Sequence, residues 1–459
     1  MSSYRFPFSS SALRSLQLEA EKLEQWQIQK KLSYRSTRPS VYVKCSAKPV
    51  QQPPLLCTDP VLLNAVYSGD LIALQDYTSV KCSANLLILN RNHELRWDSQ
   101  QTGIWSLTYE EEFTCPLFVT ANRGYADCVQ LLLRLGADVE FSPGGESALH
   151  GACENAHLEC VKILLRHGAN PNAESQDGTL PLHRCKTPQS YQCAKLLLQY
   201  GAHINRQTEE EEDTPLHIAA RYGLWQHVDL YLRYGATVDK RNVNGETALC
   251  AACNHRQTPQ NLQQYFQVCQ RLIQSGANIH ARDNDQQNPL HLACKNANPQ
   301  VVELLLEQGA EVNAMNYSAN TPIQNILQVI AYKLDHKPEL IVRALLNHGA
   351  IRIWPGALIK VLRYCCMSPR TVEVLLNTYS RVRVTEEWAE VVPKEEKEKN
   401  SRFFYSVFTL SESPRSLQHL CRCAVRSHLE GRLPQTLPNL PLPPSLLQFM
   451  QLRFEDVLY

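Results

Sequence analysis

Neither sign of charge prevails in this chain: Lys and Arg number 46 against 45 Asp and Glu. A nucleic-acid surface needs a strong basic surplus, so that class of partner is not expected. Nine basic residues do fall in the first 50 (Lys22 with Arg5, Arg14, Lys30, Lys31, Arg35, Arg38, Lys44 and Lys48), where they read as a solvated, flexible leader. Long apolar runs are lacking too. No stretch reaches the ~18 apolar residues that a membrane-spanning helix needs. The opening Met1-Ser2-Ser3-Tyr4-Arg5-Phe6-Pro7-Phe8 has no signal-peptide core, and Ser2 stands where myristoylation requires glycine. Regular cysteine spacing is also absent. The 17 cysteines are odd in number and scattered through helical patterns, unlike the framework of a short secreted domain. These absences point to a reducing compartment, the cytosol with or without the nucleus, and make the glycosylation-like Asn316-Tyr317-Ser318 a coincidence. There is no phosphate-cradling glycine loop and no His-Glu-x-x-His pair, so neither catalysis nor a cofactor is expected.

What the chain has is repetition, spread over 459 residues of which 44% are hydrophobic. Gly-Ala recurs from Gly136 through Gly168, Gly201, Gly235, Gly276 and Gly309 to Gly349, in steps of 32, 33, 34, 41, 33 and 40 residues. A second pattern keeps register with it: Ser147-Ala148-Leu149-His150, Leu180-Pro181-Leu182-His183, Thr214-Pro215-Leu216-His217, Thr247-Ala248-Leu249-Cys250 and Asn288-Pro289-Leu290-His291. Weaker copies stand at Cys115-Pro116-Leu117-Phe118 and Thr321-Pro322-Ile323-Gln324.

Each piece has a mechanical reason. A Ser, Thr or Asn oxygen caps a helix, and proline suits its first turn, where a missing N–H costs nothing. Small residues such as Ala152, Ala219, Ala252 and Ala293 let helices approach. A second apolar helix follows, as in Val301-Val302-Glu303-Leu304-Leu305-Leu306, and glycine ends it in a left-handed conformation. These residues resemble ankyrin repeats, whose period is about 33. The resemblance implies stacked helix pairs with projecting finger loops.

Two insertions, near 256–264 and 330–337, should lengthen helices or loops without breaking the stack. Terminal units must close the array's apolar ends. Asp59–Asp70 reads as a degenerate leading pair, and Asn85–Glu112 then interrupts the period. Pro355–Cys366 and Pro369–Tyr379 read as one more pair, with Tyr379 where glycine belongs. A bridge from Trp388 to Tyr405 carries the charged Lys394–Lys399 run, read as a solvated helix face.

Three features invite other readings. His150/Cys153, Cys250/Cys253 and His291/Cys294 stand one helical turn apart and could begin a zinc site. The register of His217/Ala220, with no second ligand, favours a histidine bonding between units and a small buried cysteine. The run Glu209-Glu210-Glu211-Glu212-Asp213 falls on a finger loop and is a candidate contact for a basic target. Ser11–Lys31 carries Leu13, Leu16, Leu18, Leu23 and Trp26 at imperfect helical spacing, with no partner evident.

The tail carries most of the functional signal. Ser413 and Pro414 suit a helix start, and Gly431 a stop. Leu417, Cys421 and Val425 step by four and form one stripe with Leu420 and Ala424, fit for docking helix-in-groove on a partner. Buried leucine anchors contribute roughly 1.5–3 kcal/mol each. Leu437 and then Leu440-Pro441-Leu442-Pro443 follow in a proline-stiffened, donor-poor backbone, ahead of Leu446, Phe449 and Met450.

This tail resembles a SOCS box. Its elongin-binding half has the form small residue-Leu-x3-Cys-x3-aliphatic, matched by Ser416, Leu417, Cys421 and Val425, with Leu420 on the same stripe. Its cullin-binding half is matched by Leu437, Leu440, Pro441, Leu442, Pro443, Leu446 and Phe449. The resemblance implies elongin C and elongin B bound at the first set, cullin-5 with its RING-box protein selected by the second, and a target protein, not named by the sequence, held by the array. An ankyrin array ahead of a terminal SOCS box is the layout of the ankyrin repeat and SOCS box family. Trp105–Glu112, Trp354–Leu358 and Ser416–Leu420 resemble one member in particular, whereas the leader looks more like its relatives.

The expected fold is therefore all-α: an ankyrin solenoid followed by a small helical SOCS box. Its parts are a leader at 1–56 with a helix at 11–31, a degenerate leading repeat and linker at 57–111, and seven repeats at 112–352. Capping helices and a bridge at 353–410 precede the box at 411–459. The expected function is that of a non-enzymatic adaptor in a ubiquitin ligase, with an ankyrin scaffold lacking ligase recruitment as the runner-up.

Overall fold

The computed structural model describes residues 55–57, 59–80, 85–98, 104–411, 414–429 and 431–453. The expected helix at 11–31 lies outside the described residues. Leu55 and Leu56, read as the end of the leader, form a short strand β1 (Leu55–Leu56).

Helices then come in pairs: α1 (Pro60–Ser68) with α2 (Leu71–Val80), and, after strands β2 (Leu86–Asp98) and β3 (Ile104–Thr114), α3 (Pro116–Asn122) with α4 (Ala126–Arg134). Next are α5 (Ala148–Glu154) with α6 (Leu158–Arg166), and a 3-10 turn (Pro181–Arg184) with α7 (Tyr191–Gln199). The series continues through α8 (Pro215–Arg221) with α9 (Trp225–Arg233), and α10 (Ala248–Asn254) with α11 (Leu262–Gln274). It ends with α12 (Pro289–Asn296) and α13 (Pro299–Glu307), α14 (Pro322–Val329) and α15 (Pro338–Asn347), and α16 (Leu358–Cys365) and α17 (Pro369–Leu376). First helices stack on first helices and second on second, as in α8 on α10 on α12 on α14. A continuous apolar core runs through the stack, with Val161, Leu164, Val228, Leu272, Val301 and Leu345 fully buried.

The repeat histidines tie the units together. His150, His183, His217 and His291 each take the N–H of their own cap residue on Nδ1, at 3.0–3.3 Å. Each donates from Nε2 to a carbonyl of the following unit: Thr179, Arg206, Glu246 and Asn320, at 3.0–3.1 Å. One ring thus satisfies two buried backbone groups that would otherwise cost ~1–3 kcal/mol each. Burial pushes His150 and His183 down to about 4, so both rings are neutral at physiological pH. Among the described residues no group of three or more His, Cys, Asp or Glu is placed to hold a metal ion.

Three features depart from the sequence reading. The segment read as an interruption is a long hairpin, β2 pairing antiparallel with β3 from Ile88↔Thr114 to Asp98↔Ile104, a two-stranded addition to the expected helical fold. The unit at 181 opens in a 3-10 turn instead of an α-helix. Pro188 holds Thr187 extended (φ −123°, ψ 152°) and leaves no room for a longer helix before α7. The two insertions also meet across the intervening unit, where Lys333 Nζ donates to Gln257 O at 3.1 Å and Asn298 Nδ2 to Gln257 Oε1 at 2.7 Å.

Beyond α17 the bridge folds as α18 (Glu386–Val391), α19 (Lys394–Lys399) and α20 (Ser401–Phe408). Buried Trp388, Phe404 and Val407 anchor α18 and α20, whereas α19 buries nothing. The terminal module is α21 (Leu417–Leu429), α22 (Leu433–Thr436), a 3-10 turn at Leu437–Asn439 and α23 (Pro444–Met450).

Candidate functional site

Helix α21 has its polar side inward and its apolar side outward. The cap is Ser416 rather than the expected Ser413, which lies outside the described residues: Ser416 Oγ accepts the His419 N–H at 3.2 Å. At 100° per residue, Leu417, Leu420, Cys421, Ala424 and Val425 share one face, with His419, Arg422, Cys423 and Arg426 opposite.

The inward face docks on the last two helix pairs. Helix α17 ends at the place where a glycine would close an ordinary repeat, and Tyr379 stands there instead. Carbonyls at that end are taken by side chains of the module. Arg415 Nη2 donates to Leu376 O at 3.2 Å, Arg422 Nη2 to Asn377 O at 3.3 Å, and His419 Nε2 to Tyr379 O at 2.9 Å. Arg426 reaches the end of α15, donating to Leu346 O at 3.1 Å and Asn347 Oδ1 at 2.7 Å, and ties in Met450 O at 2.7 Å. Helix C-termini are the negative ends of the backbone dipoles, so cations belong there. Burial, reinforced by Arg422 and Arg352, lowers Arg426 to about 10, which leaves it charged at neutral pH. Burial with Arg415 and Arg422 nearby pushes His419 down to about 4, and its Nδ1 accepts from Arg422 Nη2 at 2.8 Å.

The backbones meet at Gly349 and Gly431. At the six earlier Gly-Ala steps a Cβ would touch nothing, so glycine is needed there only for its positive φ. At Gly349, with φ +91°, a Cβ would also fall 2.6 Å from Gly431 Cα.

The outward face has no cover from the described residues. Leu417 is 77% exposed, Val425 41% and Leu420 39%, and Ser416 is exposed ahead of them. Among the described cysteines, Cys421 alone is exposed. Three large apolar side chains on one helical face, with a free thiol among them, make a surface that a partner helix groove would bury.

The second set of tail residues divides. Leu440, Pro441, Pro443 and Leu446 are exposed on the extended segment and the start of α23. Leu442 and Phe449 are half-buried, and the guanidinium of Arg422 lies 4.2 Å above the Phe449 ring. Leu437 is a correction. It is 1% exposed in a small core with Leu433 and Met450, so it holds the module together and has no surface to give a partner. The finger-loop run divides likewise. Glu209, Glu210, Glu211 and Glu212 are exposed at the tip, but Asp213 is buried. Arg221 Nη2 donates to it at 3.1 Å and Asn242 Nδ2 at 3.0 Å, which removes Asp213 from the candidate contact surface.

Sequence reasoning missed Arg415, His419, Arg422 and Arg426. Their only signal was the i, i+3, i+7 spacing of His419, Arg422 and Arg426 behind the apolar stripe.

A repeat solenoid that holds a terminal helix polar-side-in and apolar-side-out is a protein-interaction architecture. Residues 85–175, 117–208, 216–316 and 259–354 match the ankyrin repeats (3 copies) family, and residues 413–451 match the SOCS box. Ankyrin repeat and SOCS box protein 16 of Mus musculus is 40% identical over 455 residues, covering 99% of this chain and 99% of the relative. Ankyrin repeat and SOCS box protein 10 of Mus musculus is 51% identical over 374 residues, 80% of each chain. Among solved structures, the ankyrin repeat domain of human ASB11 is 25% identical with TM-score 0.43, covering 51% of this chain and 97% of that chain. The chain belongs to the ankyrin repeat and SOCS box protein family. Member ten matches it at the higher identity over four-fifths of its length, and member sixteen matches it nearly end to end.

Proposed function

We propose that this chain is the substrate-recognition adaptor of an elongin BC–cullin-5–RING ubiquitin ligase. The array holds a target protein, and the SOCS box recruits the core that ubiquitinates it for proteasomal degradation. Transfer chemistry belongs to the RING-box protein and its conjugating enzyme, and this chain contributes proximity and orientation. The setting is the cytosol, with the nucleus as a second compartment. One observation carries the reading: an apolar stripe with an exposed cysteine is aimed outward by a helix whose other face is hydrogen-bonded to the array. Leu417, Leu420, Cys421 and Val425, led by Ser416, are the elongin surface. Leu440, Pro441, Pro443 and Leu446, with the edges of Leu442 and Phe449, are the cullin surface.

Co-purification tests the proposal. Wild-type protein should retain elongins B and C, and Leu417→Asp with Val425→Asp should lose them while keeping its melting temperature, because both side chains are already exposed. Equal recovery from the two would leave an ankyrin scaffold without ligase recruitment. Leu440→Ala with Pro441→Ala should keep the elongins and weaken cullin-5; undiminished cullin recovery would remove the role assigned to that segment.

A further inference from the structure

Beside the seam between array and SOCS box lies a cleft of about 950 Å³ that the ligase reading does not use. Its walls are the loop after α15, the turn after α17 and the far end of α21. Three arginines line it, Arg352, Arg381 and Arg426, and no described lining residue carries a carboxylate. In a chain with 46 basic and 45 acidic residues, such an excess is local and needs a local reason.

The three guanidiniums are placed differently. Arg426 is committed to the seam. Arg352 is exposed but held: Nη1 donates to Thr378 O at 2.9 Å, and its Cζ lies 5.9 Å above the Tyr379 ring. A held planar guanidinium with N–H groups to spare is suited to a carboxylate fork. Arg381 is exposed and makes no hydrogen bond or ion pair among the described residues. The rim adds two apolar groups, Trp354 at 75% exposed and Ile351 at 61%. The Trp354 ring lies where Gly356 leaves room for it and any Cβ would collide. Exposed Trp beside Arg is the composition of protein-interface hot spots. A small inorganic anion would satisfy the arginines and leave the tryptophan in water. An uncharged apolar segment would do the reverse.

We propose that this cleft is a second docking site, taking an acidic stretch of polypeptide with a large apolar side chain beside its carboxylates. The site does not depend on whether the box recruits a ligase.

Fluorescence anisotropy with the full-length chain tests it. The probe is a labelled ten-residue peptide alternating Glu and Asp around a central Leu-Phe, alongside a copy with Gln and Asn for the acids and a copy with Ser for Leu-Phe. The acidic apolar peptide should bind at least tenfold more tightly than either copy, and more weakly as salt is raised from 50 to 300 mM. Arg352→Glu with Arg381→Glu should weaken it at least tenfold and Trp354→Ala several-fold, and Arg381→Glu alone should weaken it several-fold with the melting temperature unchanged, because that side chain is exposed and makes no hydrogen bond or ion pair among the described residues. Undetectable binding of the acidic peptide overturns the proposal, as does equal binding of the neutral copy or indifference to charge reversal. Equal binding of the Ser copy would make the cleft a general anion site and overturn the peptide assignment.

Discussion

The seams inside the array and the seam at its end are built from opposite materials. Between repeats, buried Leu, Val and Cys do the packing, and in four units a histidine satisfies the backbone. Between array and SOCS box, arginines and a histidine reach helix-end carbonyls, and the apolar side chains of α21 face away. Apolar contact is non-directional and suits stacking that must tolerate variation from unit to unit. Hydrogen bonds to carbonyls are directional, so the polar seam sets the angle at which the outward stripe is presented.

The contrast can be broken most severely at Arg426. Arg426→Met keeps the volume but strands Leu346 O, Met450 O and the Asn347 amide. It should cost about 3 kcal/mol or more locally. Hydrogen exchange should show α21–α23 losing protection while α8–α13 keep theirs; uniform loss throughout the chain would mean that the two seams are not separable.

Acid should strike the array seams next. Burial holds folded His150 and His183 at about 4, against about 6.5 unfolded. Between those values the unfolded chain binds protons that the folded chain does not. Stability present above pH 6.5 therefore falls as the pH drops toward 4, by about 1.4 kcal/mol per unit per histidine. Urea midpoints measured from pH 7.5 to 4.5 check this, and a flat profile would remove the histidines from the seam's energetics.

A single seam histidine is a smaller lever. His291→Ala leaves the Asn288 N–H and Asn320 O without their shared partner and should cost about 2 kcal/mol, read as a shifted urea midpoint with unchanged slope. Smallest of all, Leu417→Asp should move the midpoint by less than about 0.5 kcal/mol, since its side chain is already in water. A large destabilisation there would show that the outward face is part of the core.

How legible all this was depended on how local the signal is. Gly-Ala steps and capped Pro-Leu-His helices declare themselves within a few residues, so the stack could be read directly. The stripe from Leu417 to Val425 was visible for the same reason, as a 3.6-residue period. Arg422 and Arg426 were not, because an arginine in sequence reads as solvated and only the carbonyls at the ends of two helices, 45 and 80 residues earlier, account for its burial. Leu437 and Leu440 look alike in a proline-rich segment, yet one is buried on Met450 and the other exposed. Asp213 differs from its four glutamate neighbours only through Arg221 and Asn242. The hairpin did carry a period of two, but Asn85–Glu112 lies between helix pairs and lacks a tight Asn-Gly turn.

The meeting of Gly349 with Gly431 also has a mechanical meaning. The eight stacked units that precede Gly349, at roughly 8–10 Å spacing, give a lever on the order of 80 Å with its fulcrum at these two residues. A methyl group at Gly349 that tilted the module by ten degrees would swing the far repeats by roughly 14 Å on that lever. Alanine at this one position would thus re-aim the array while leaving the outward stripe of α21 and the finger-loop tips unaltered.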